Sequence, residues 1–397
     1  MRILVAHNFY QQPGGEDRVF ANEKRLLVEK GHEVVEYLRH NSEIADYGIV
    51  KVAALSLAPW NPETYWELSS ILRQFRPDVA HFHNTLPLIS PSAYSACQRV
   101  GVAIVQSLHN YRPICPSGDL TYRGRPCEDC KGKLLPMPGI LRGCYHNSVL
   151  QTGIVGLTTT LPRIVGISPR GIDRFIVFSS LYKEQLASVG FSPERVAVKP
   201  HFVNDFGIGK RSGGYALFAG RFETRKGLKT LLSAWKRIPD RRLTICGAGP
   251  LHEQVAGVAA ECPGRVDLLP FLPTEELLPI LKEAEFLVWP SEFPETFGMI
   301  ALEAMACGVP VISSGNVSDT AGLVVDGRNG LTFRAGDAED LAAKVEWAFE
   351  HPTEMTAMGE RGRQMYLDHY TPEENYRQLI EIYQDAIRQR DYHRDTR

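Results

Sequence analysis

The stretch "AEFLVWPSEFPETFGMIALEAMACGVPVISS" (residues 284–314) decides the fold. It opens on "AEFLVWPS", an apolar run of strand length, and the proline-containing "EFPE" ends that run. From Thr296 the reading is helical, "TFGMIALEAMACG", with Gly308 and then Pro310 as stop signals. A second apolar run, "VPVISS", follows at once. Strand, short loop, helix and strand in that order form the unit of a parallel sheet with a right-handed crossover. Two carboxylates sit inside it, Glu295 at the loop-to-helix junction and Glu303 within an otherwise apolar helix. At about 1.5 Å per helical residue they stand roughly 12 Å apart along the axis, too far for one dyad. They can instead grip two hydroxyl-bearing parts of an elongated ligand, with the amides near Phe297 and Gly298 binding an anion between them. A glutamate inside an apolar helix is a costly charge unless something partners it.

The same plan extends outward. "YALFAGR" (215–221), "RLTICGAGP", "VDLLPFL" and "GLTF" read as strands of the same half, separated by helical patterns. "RILVAH", "EVVEYL", "DVAHFH", "VAIVQSLH" and "RFIVFSS" supply an earlier half. The fold class is therefore α/β, with two Rossmann-like domains, as expected for 397 residues, a length beyond one ordinary core. The expected division is 1–203, carrying a cysteine-containing insert at about 112–147, then 204–375. A terminal helix, 376–397, has Leu379, Ile380, Ile382, Tyr383 and Ile387 at helical spacing and is expected to pack back across the junction.

Lys and Arg total 44 against 46 Asp and Glu, a net charge of -2, so no global positive field favours nucleic acid. The start, "MRILVAHNFY", reads as a strand and lacks the pattern of a secretory signal, so a cytoplasmic chain is expected. No window offers the roughly 20 uncharged apolar residues of a membrane helix. The nearest, "SVLQTGIVGLTTTLPRIVGI" (148–167), holds Arg163 and a proline. It reads as a buried or gating segment, with peripheral contact to a membrane surface as the alternative.

Open parallel sheets bind ligands beyond the carboxyl ends of their strands. After the first strand, Gly14 and Gly15 precede a helix, where backbone amides can approach an anion or simply form a tight turn. His109, after "VAIVQSL", is sited to hydrogen-bond a ligand hydroxyl, although an isolated histidine is more often structural. The loop "RFETRKG" sets Arg221 and Lys226 around a turn, where they can converge on a diphosphate or remain a solvated basic turn. "CGAGP", with Gly247, Gly249 and Pro250, repeats the strand-to-glycine pattern but is too short for a dinucleotide fingerprint.

At these residues the sequence resembles the GT-B glycosyltransferases, specifically family 4, whose members are retaining and use nucleotide sugars. "PGGEDR", "SLHNYR", "GRFETRKG", "CGAGP", "PSEFPETFGMIALEAMACGVPVI" and "DGRNGLTF" occur in the family's order across nearly the whole chain. The resemblance implies two domains facing across a cleft, with the C-terminal helix returning to the N-terminal domain. It implies that Glu295 holds donor-sugar hydroxyls, Glu303 the ribose, and Arg221 with Lys226 the diphosphate. Gly14 and Gly15 approach the phosphates from the N-terminal domain, with Thr296, Phe297 and Gly298 completing that cradle and His109 facing the sugar. The implied donor is a UDP- or GDP-linked sugar, and the acceptor a glycan or lipid-linked molecule of surface polysaccharide or lipopolysaccharide assembly. A sugar-nucleotide epimerase of the same shape, or a noncatalytic sugar-nucleotide binder, is the alternative. The chain has no D-x-D sequence, and Arg221, Lys226 and a helix N-terminus can stabilise a departing diphosphate, so catalysis needing no metal cofactor is expected. One departure from many relatives is the absence of a glutamate in the loop before "DGRNG", here "GNVSDTAGLVV".

Eight cysteines in a chain of this size without a signal do not suggest a disulfide framework. Cys115, Cys127, Cys130 and Cys144, spaced C-x(11)-C-x(2)-C-x(13)-C, can satisfy a tetrahedral structural zinc or remain reduced thiols.

Overall fold

The computed structural model describes residues 1–11, 14–46, 57–315 and 322–395. The chain divides into two units: Met1–Lys199 together with Tyr376–Arg397, and Pro200–Asn375. The chain passes from the first unit to the second at Lys199/Pro200, rather than after residue 203, and back again within its last helix.

In the first unit, β1 (Arg2–Phe9), β2 (Glu33–His40), β3 (Val79–Phe82), β4 (Ala103–Ser107), β7 (Arg174–Val177) and β8 (Val196–Val198) form a parallel sheet ordered β2-β1-β3-β4-β7-β8. Between β4 and β7, the short β5 (Thr121–Tyr122) and β6 (Arg125–Pro126) make an antiparallel hairpin. The second unit holds β9 (Tyr215–Ala219), β10 (Arg242–Cys246), β11 (Val266–Leu269), β12 (Phe286–Trp289), β13 (Val311–Ser314) and β14 (Gly330–Phe333). Its parallel order is β11-β10-β9-β12-β13-β14. The central strands are covered on both faces, so "FLVW" reads as an unbroken apolar run and "VISS" is likewise buried throughout, the Ser314 hydroxyl donating to the Ser291 carbonyl. In each unit the strand order reverses once beside the first strand, between β1 and β3 and between β9 and β12. Those reversals open a crevice at the strands' carboxyl ends.

The last helix, Pro372–Asp395, leaves the second unit and packs into the first. There Tyr376 and His32 Nε2 share a 2.8 Å hydrogen bond, Tyr383 and His81 Nδ1 one of 2.7 Å, and Arg390 binds Asp173 at 2.6 Å. Of the five apolar residues read as its stripe, Leu379, Ile382 and Tyr383 are buried and Ile380 and Ile387 half-buried, while Ala386 is buried beside them.

Three elements differ from the sequence reading. The helix of the opening stretch begins at Met299, not Thr296, and Gly298 caps it in a non-helical conformation (φ −148°, ψ 80°). A Cβ at Gly298 would run into the six-membered ring of Trp289, so the chain passes the indole there before it coils. The segment expected to be buried is instead the helix Val149–Ile164, whose threonines Thr152, Thr158 and Thr160 are buried while Leu150, Leu157 and Ile164 are exposed. The hairpin β5-β6 and the three-residue β8 have no apolar period long enough to read. The loop that departs from the family pattern lies mostly outside the described residues.

Candidate functional site

In the second unit the loops after β9 and β12 flank the crevice. Gly227 has φ +70°, and a Cβ there would collide with the Pro290 carbonyl, so glycine lets the two loops meet backbone to backbone. The Glu292 amide then donates to the Arg225 carbonyl at 3.0 Å, and Thr230 Oγ1 donates to Glu292 at 2.6 Å. Across this seam Lys226 Nζ lies 2.8 Å from Glu295 Oε1. The same carboxylate accepts from Trp289 Nε1 at 3.3 Å and from the Ser291 hydroxyl. Burial pushes the Glu295 carboxyl upward, but the charge and hydrogen bond of Lys226, the Ser291 hydroxyl and the Arg225 charge outweigh it and hold the group below its ordinary value. Glu295 is therefore an anion at neutral pH, and its partner is the cation that the sequence reading assigned to a neighbouring ligand group.

Arg221 is largely exposed and pairs with Glu223 at 3.3 Å; Arg225 binds the same carboxylate at 2.6 Å. Phe297 is buried against His201 and Tyr370, with ring centroids 5.0 and 6.2 Å away, which anchors the loop just before the helix Met299–Ala306. That helix directs its first amides toward the crevice, and Glu303, its one charged residue, is 3 % exposed. Gly247 and Gly249 lie on the loop after β10, where the Phe222 amide donates to the Ala248 carbonyl at 2.8 Å, and Pro250 next to them is exposed. Sequence reasoning missed Trp289, Ser291 and Gly227. Trp289 reads only as an apolar strand end, and only its place one loop before Glu295 hints at an indole donor.

In the first unit the histidines gather at the carboxyl ends of adjacent strands. His7 Nε2 and Asp17 Oδ1 are 2.7 Å apart, and Asp17 also accepts from the Gly14 amide at 2.8 Å, so that amide caps its own helix. Gly15 has open space around its Cβ position. His109 Nε2 and His83 Nδ1 share a 3.0 Å hydrogen bond; His83 Nε2 lies 3.6 Å from Glu23, which binds the fully buried Lys199 at 2.5 Å. Burial, with the charges of His7 and Lys199 adding, pushes the His109 imidazole down to about 3. It is neutral near pH 7 and acts by hydrogen bonding, not as a cation. Glu23, His81 and His83 have ligand atoms within 4.8 Å of one another. Lys199 already places a positive charge on Glu23, and both His81 nitrogens are bonded to Tyr383 and Ser107, so this is a hydrogen-bonded charge network. His109, Asn84, Glu16, Arg112, Thr158 and Arg163 line a cavity of about 140 Å³ within this unit. Burial raises the Glu16 carboxyl there, partly offset by Tyr10 and Arg112.

Two family profiles cover almost all of the chain: "Glycosyltransferase Family 4" matches residues 13–205 and "Glycosyl transferases group 1" residues 207–365. The chain belongs to the family 4-type GT-B glycosyltransferases. An uncharacterized glycosyltransferase of Methanocaldococcus jannaschii, MJ1178, is 32 % identical over 151 residues, 38 % of this chain and 42 % of that protein. The sulfoquinovosyl transferase SQD2 of Arabidopsis thaliana is 23 % identical over 368 residues, 86 % of this chain and 65 % of that one. The matches thus span less than two thirds of these relatives' own length. Among solved structures, Anabaena Alr3699/HepE in complex with UDP-glucose superposes with a TM-score of 0.69 at 15 % identity, covering 96 % of this chain and 98 % of that chain. That likeness confirms the two-sheet GT-B fold.

The four-cysteine insert is placed on this glycosyltransferase fold's first unit. Cys115, Cys127, Cys130 and Cys144 all line one cavity of about 10 Å³. None is in a disulfide, and burial followed by the neighbouring thiols raises Cys130 and Cys144. Their sulfurs point to other partners as well: Cys115 to Ser117 at 3.1 Å, Cys130 to the Pro136 carbonyl at 3.8 Å, and Cys127 to Arg142 at 3.6 Å. Among the described residues, no three of the four meet the 4.8 Å spacing that Glu23, His81 and His83 reach.

Proposed function

We propose that this chain transfers a sugar, with retention of anomeric configuration, from a UDP- or GDP-linked donor to a glycan or lipid-linked acceptor in surface polysaccharide or lipopolysaccharide assembly. One observation carries the reading: Lys226 and Glu295 stand 2.8 Å apart at the strand-order reversal, beside the N-terminus of the helix that holds Glu303. A sugar nucleotide presents sugar hydroxyls, a diphosphate and ribose hydroxyls in that order. Glu295 suits the first, Lys226 with Arg221 and the helix amides the second, and Glu303 the third. The meeting of Lys226 and Glu295 then marks the bond between sugar and diphosphate. Binding of UDP-glucose by the HepE protein supports this donor class.

In the proposed reaction the bond between the anomeric carbon and the diphosphate oxygen breaks. The acceptor hydroxyl oxygen bonds the same carbon on the same face, and its proton passes to the departing oxygen. Lys226, Arg221 and the helix N-terminus stabilise the charge that grows on the diphosphate, so no metal is required for that step. His109, neutral and oriented by His83, hydrogen-bonds the sugar. Incubation with a panel of labelled UDP- and GDP-sugars, with and without acceptor, tests the reading. Donor hydrolysis and a retained anomeric product by NMR are expected; an inverted product overturns the mechanism, and isomerised donor identifies an epimerase.

A further inference from the structure

The helix Val149–Ile164 buries three threonines beside Val155 and Pro162 while it turns a row of large apolar side chains outward. Thr152, Thr158 and Thr160 are buried and their hydroxyls are satisfied by the carbonyls of Ser148, Ile154 and Leu134 at 2.7, 2.9 and 2.8 Å. Leu150, Leu157, Leu161 and Ile164 share one stripe at 100° per residue and are 40–62 % exposed. The short helix Met137–Arg142 packs beside it, since a Cβ at Gly156 would touch Ile140 and Pro136, and it exposes Met137 and Leu141. Of the twenty large apolar side chains exposed among the described residues, nine fall between Leu134 and Val165, so the patch is not the scatter an ordinary surface carries.

Charge follows the same boundaries. From residue 112 to 170 there are eight Lys or Arg and three Asp or Glu, a local balance of +5 in a chain whose total is -2. No acidic residue occurs between Cys130 and Ile172. Lys133, Arg142 and Arg170 in the same segment are exposed, Arg142 also pairing with Asp129 at 2.6 Å. No helix among the described residues is long and apolar enough to cross a membrane. An exposed apolar stripe in a segment of net positive charge matches the interface of an anionic bilayer, where acyl chains take the leucines and headgroups the cations.

We propose that the face formed by Leu134, Met137, Leu141, Leu150, Leu157 and Leu161 docks this chain onto an anionic lipid bilayer. The inner side of the same helix contributes Thr158, Thr159 and Arg163 to the cavity that His109 lines. Docking brings the helix that walls this cavity to the lipid surface, which favours acceptors carried on a lipid; this clause rests on the transferase reading above, whereas the docking does not.

Flotation of the full chain with phosphatidylglycerol–phosphatidylcholine vesicles, and with pure phosphatidylcholine vesicles, tests the docking. Binding to the anionic vesicles, reduced several-fold by 0.5 M salt, is expected. The variant Leu150→Ser/Leu157→Ser/Leu161→Ser, altered only on the exposed stripe, should lose at least tenfold in bound fraction while keeping wild-type UDP binding by calorimetry. Absence of vesicle binding, or equal binding by wild type and variant, overturns the proposal. So does a dimer that the variant dissolves without any vesicle binding, because the face would then belong to a second copy. Failure of wild type to bind any nucleoside diphosphate would sink the transferase reading and leave the vesicle result standing.

Discussion

At the scale of single residues, Glu295 is held as an anion chiefly by Lys226, with Ser291 and Arg225 adding. Burial alone would lift its carboxyl, and Lys226 at 2.8 Å is the main opposing charge. In Lys226→Ala the largest force opposing burial is gone and only Ser291 and Arg225 remain, so the acid limb of the pH–rate profile should move to higher pH, with turnover down about 100-fold on the proposed diphosphate role. An unmoved acid limb would show that Glu295 is governed by something else. Glu303, 3 % exposed in an apolar helix, is proposed to hold the ribose at the other end of the donor. A lost hydrogen bond to a charged group is worth about 1.5–3 kcal/mol, so Glu303→Ala should weaken UDP binding by roughly 10- to 100-fold in calorimetry. The sequence made both glutamates legible because carboxylates stand out against "FGMIAL". It could not show that Lys226 and Glu295 touch, since they are 69 residues apart and meet only when β9 and β12 become neighbours.

At the scale of elements, the site depends on where a helix starts. Gly298 leaves room for the Trp289 ring, and Trp289 in turn donates to Glu295. Gly298→Ala should lower stability by about 1–3 kcal/mol, the range for overpacking, and reduce turnover more than UDP affinity. A denaturant midpoint equal to wild type would remove the steric argument. The strands were legible through their apolar runs, whereas the start at Met299 was not, because Thr296 is itself a favoured cap and signals a start too early, and the indole beside Gly298 lies in another element. The cysteine insert was legible only as four thiols. Its regular structure is two two-residue strands and a six-residue helix, while Ile114, Cys115 and Leu120 anchor it in the first unit's core. The four cysteines line one small cavity, but no three of their sulfurs lie within 4.8 Å of one another, so zinc would have to draw each inward to about 2.3 Å from a single ion. Metal analysis of protein purified without chelator should find one zinc per chain, with these thiols titrating only after denaturation. A metal-free chain with all four reactive in the native state would identify reduced thiols.

At the scale of the whole molecule, the two units should answer acid differently. In the first unit burial pushes His81, His83 and His109 below the ordinary histidine value, with Lys199 adding to each. Unfolded, each would take up a proton as pH falls through about 6.5. Folded, each stays neutral until far lower pH, about 3 for His109. Over that window the unfolded chain binds more protons, so stability falls as pH falls, by up to about 1.4 kcal/mol per pH unit for each such group. Glu16 and Asp173 in the same unit act in the opposite sense: burial raises them, so their penalty is relieved as they take up protons. In the second unit Glu295 is depressed, so its contribution is present above about 4.5 and is lost only below that. A variant isolates the histidine contribution from this background. His81 is bonded through both nitrogens to Ser107 and Tyr383, and His81→Gln keeps a donor and an acceptor there while removing the titration. The slope of unfolding free energy between pH 6.5 and 5 should then become shallower by about 1.4 kcal/mol per pH unit, whatever the glutamine costs in absolute stability. An unchanged slope would mean that His81 takes up its proton in the folded chain, and that burial and the Lys199 charge do not keep it neutral.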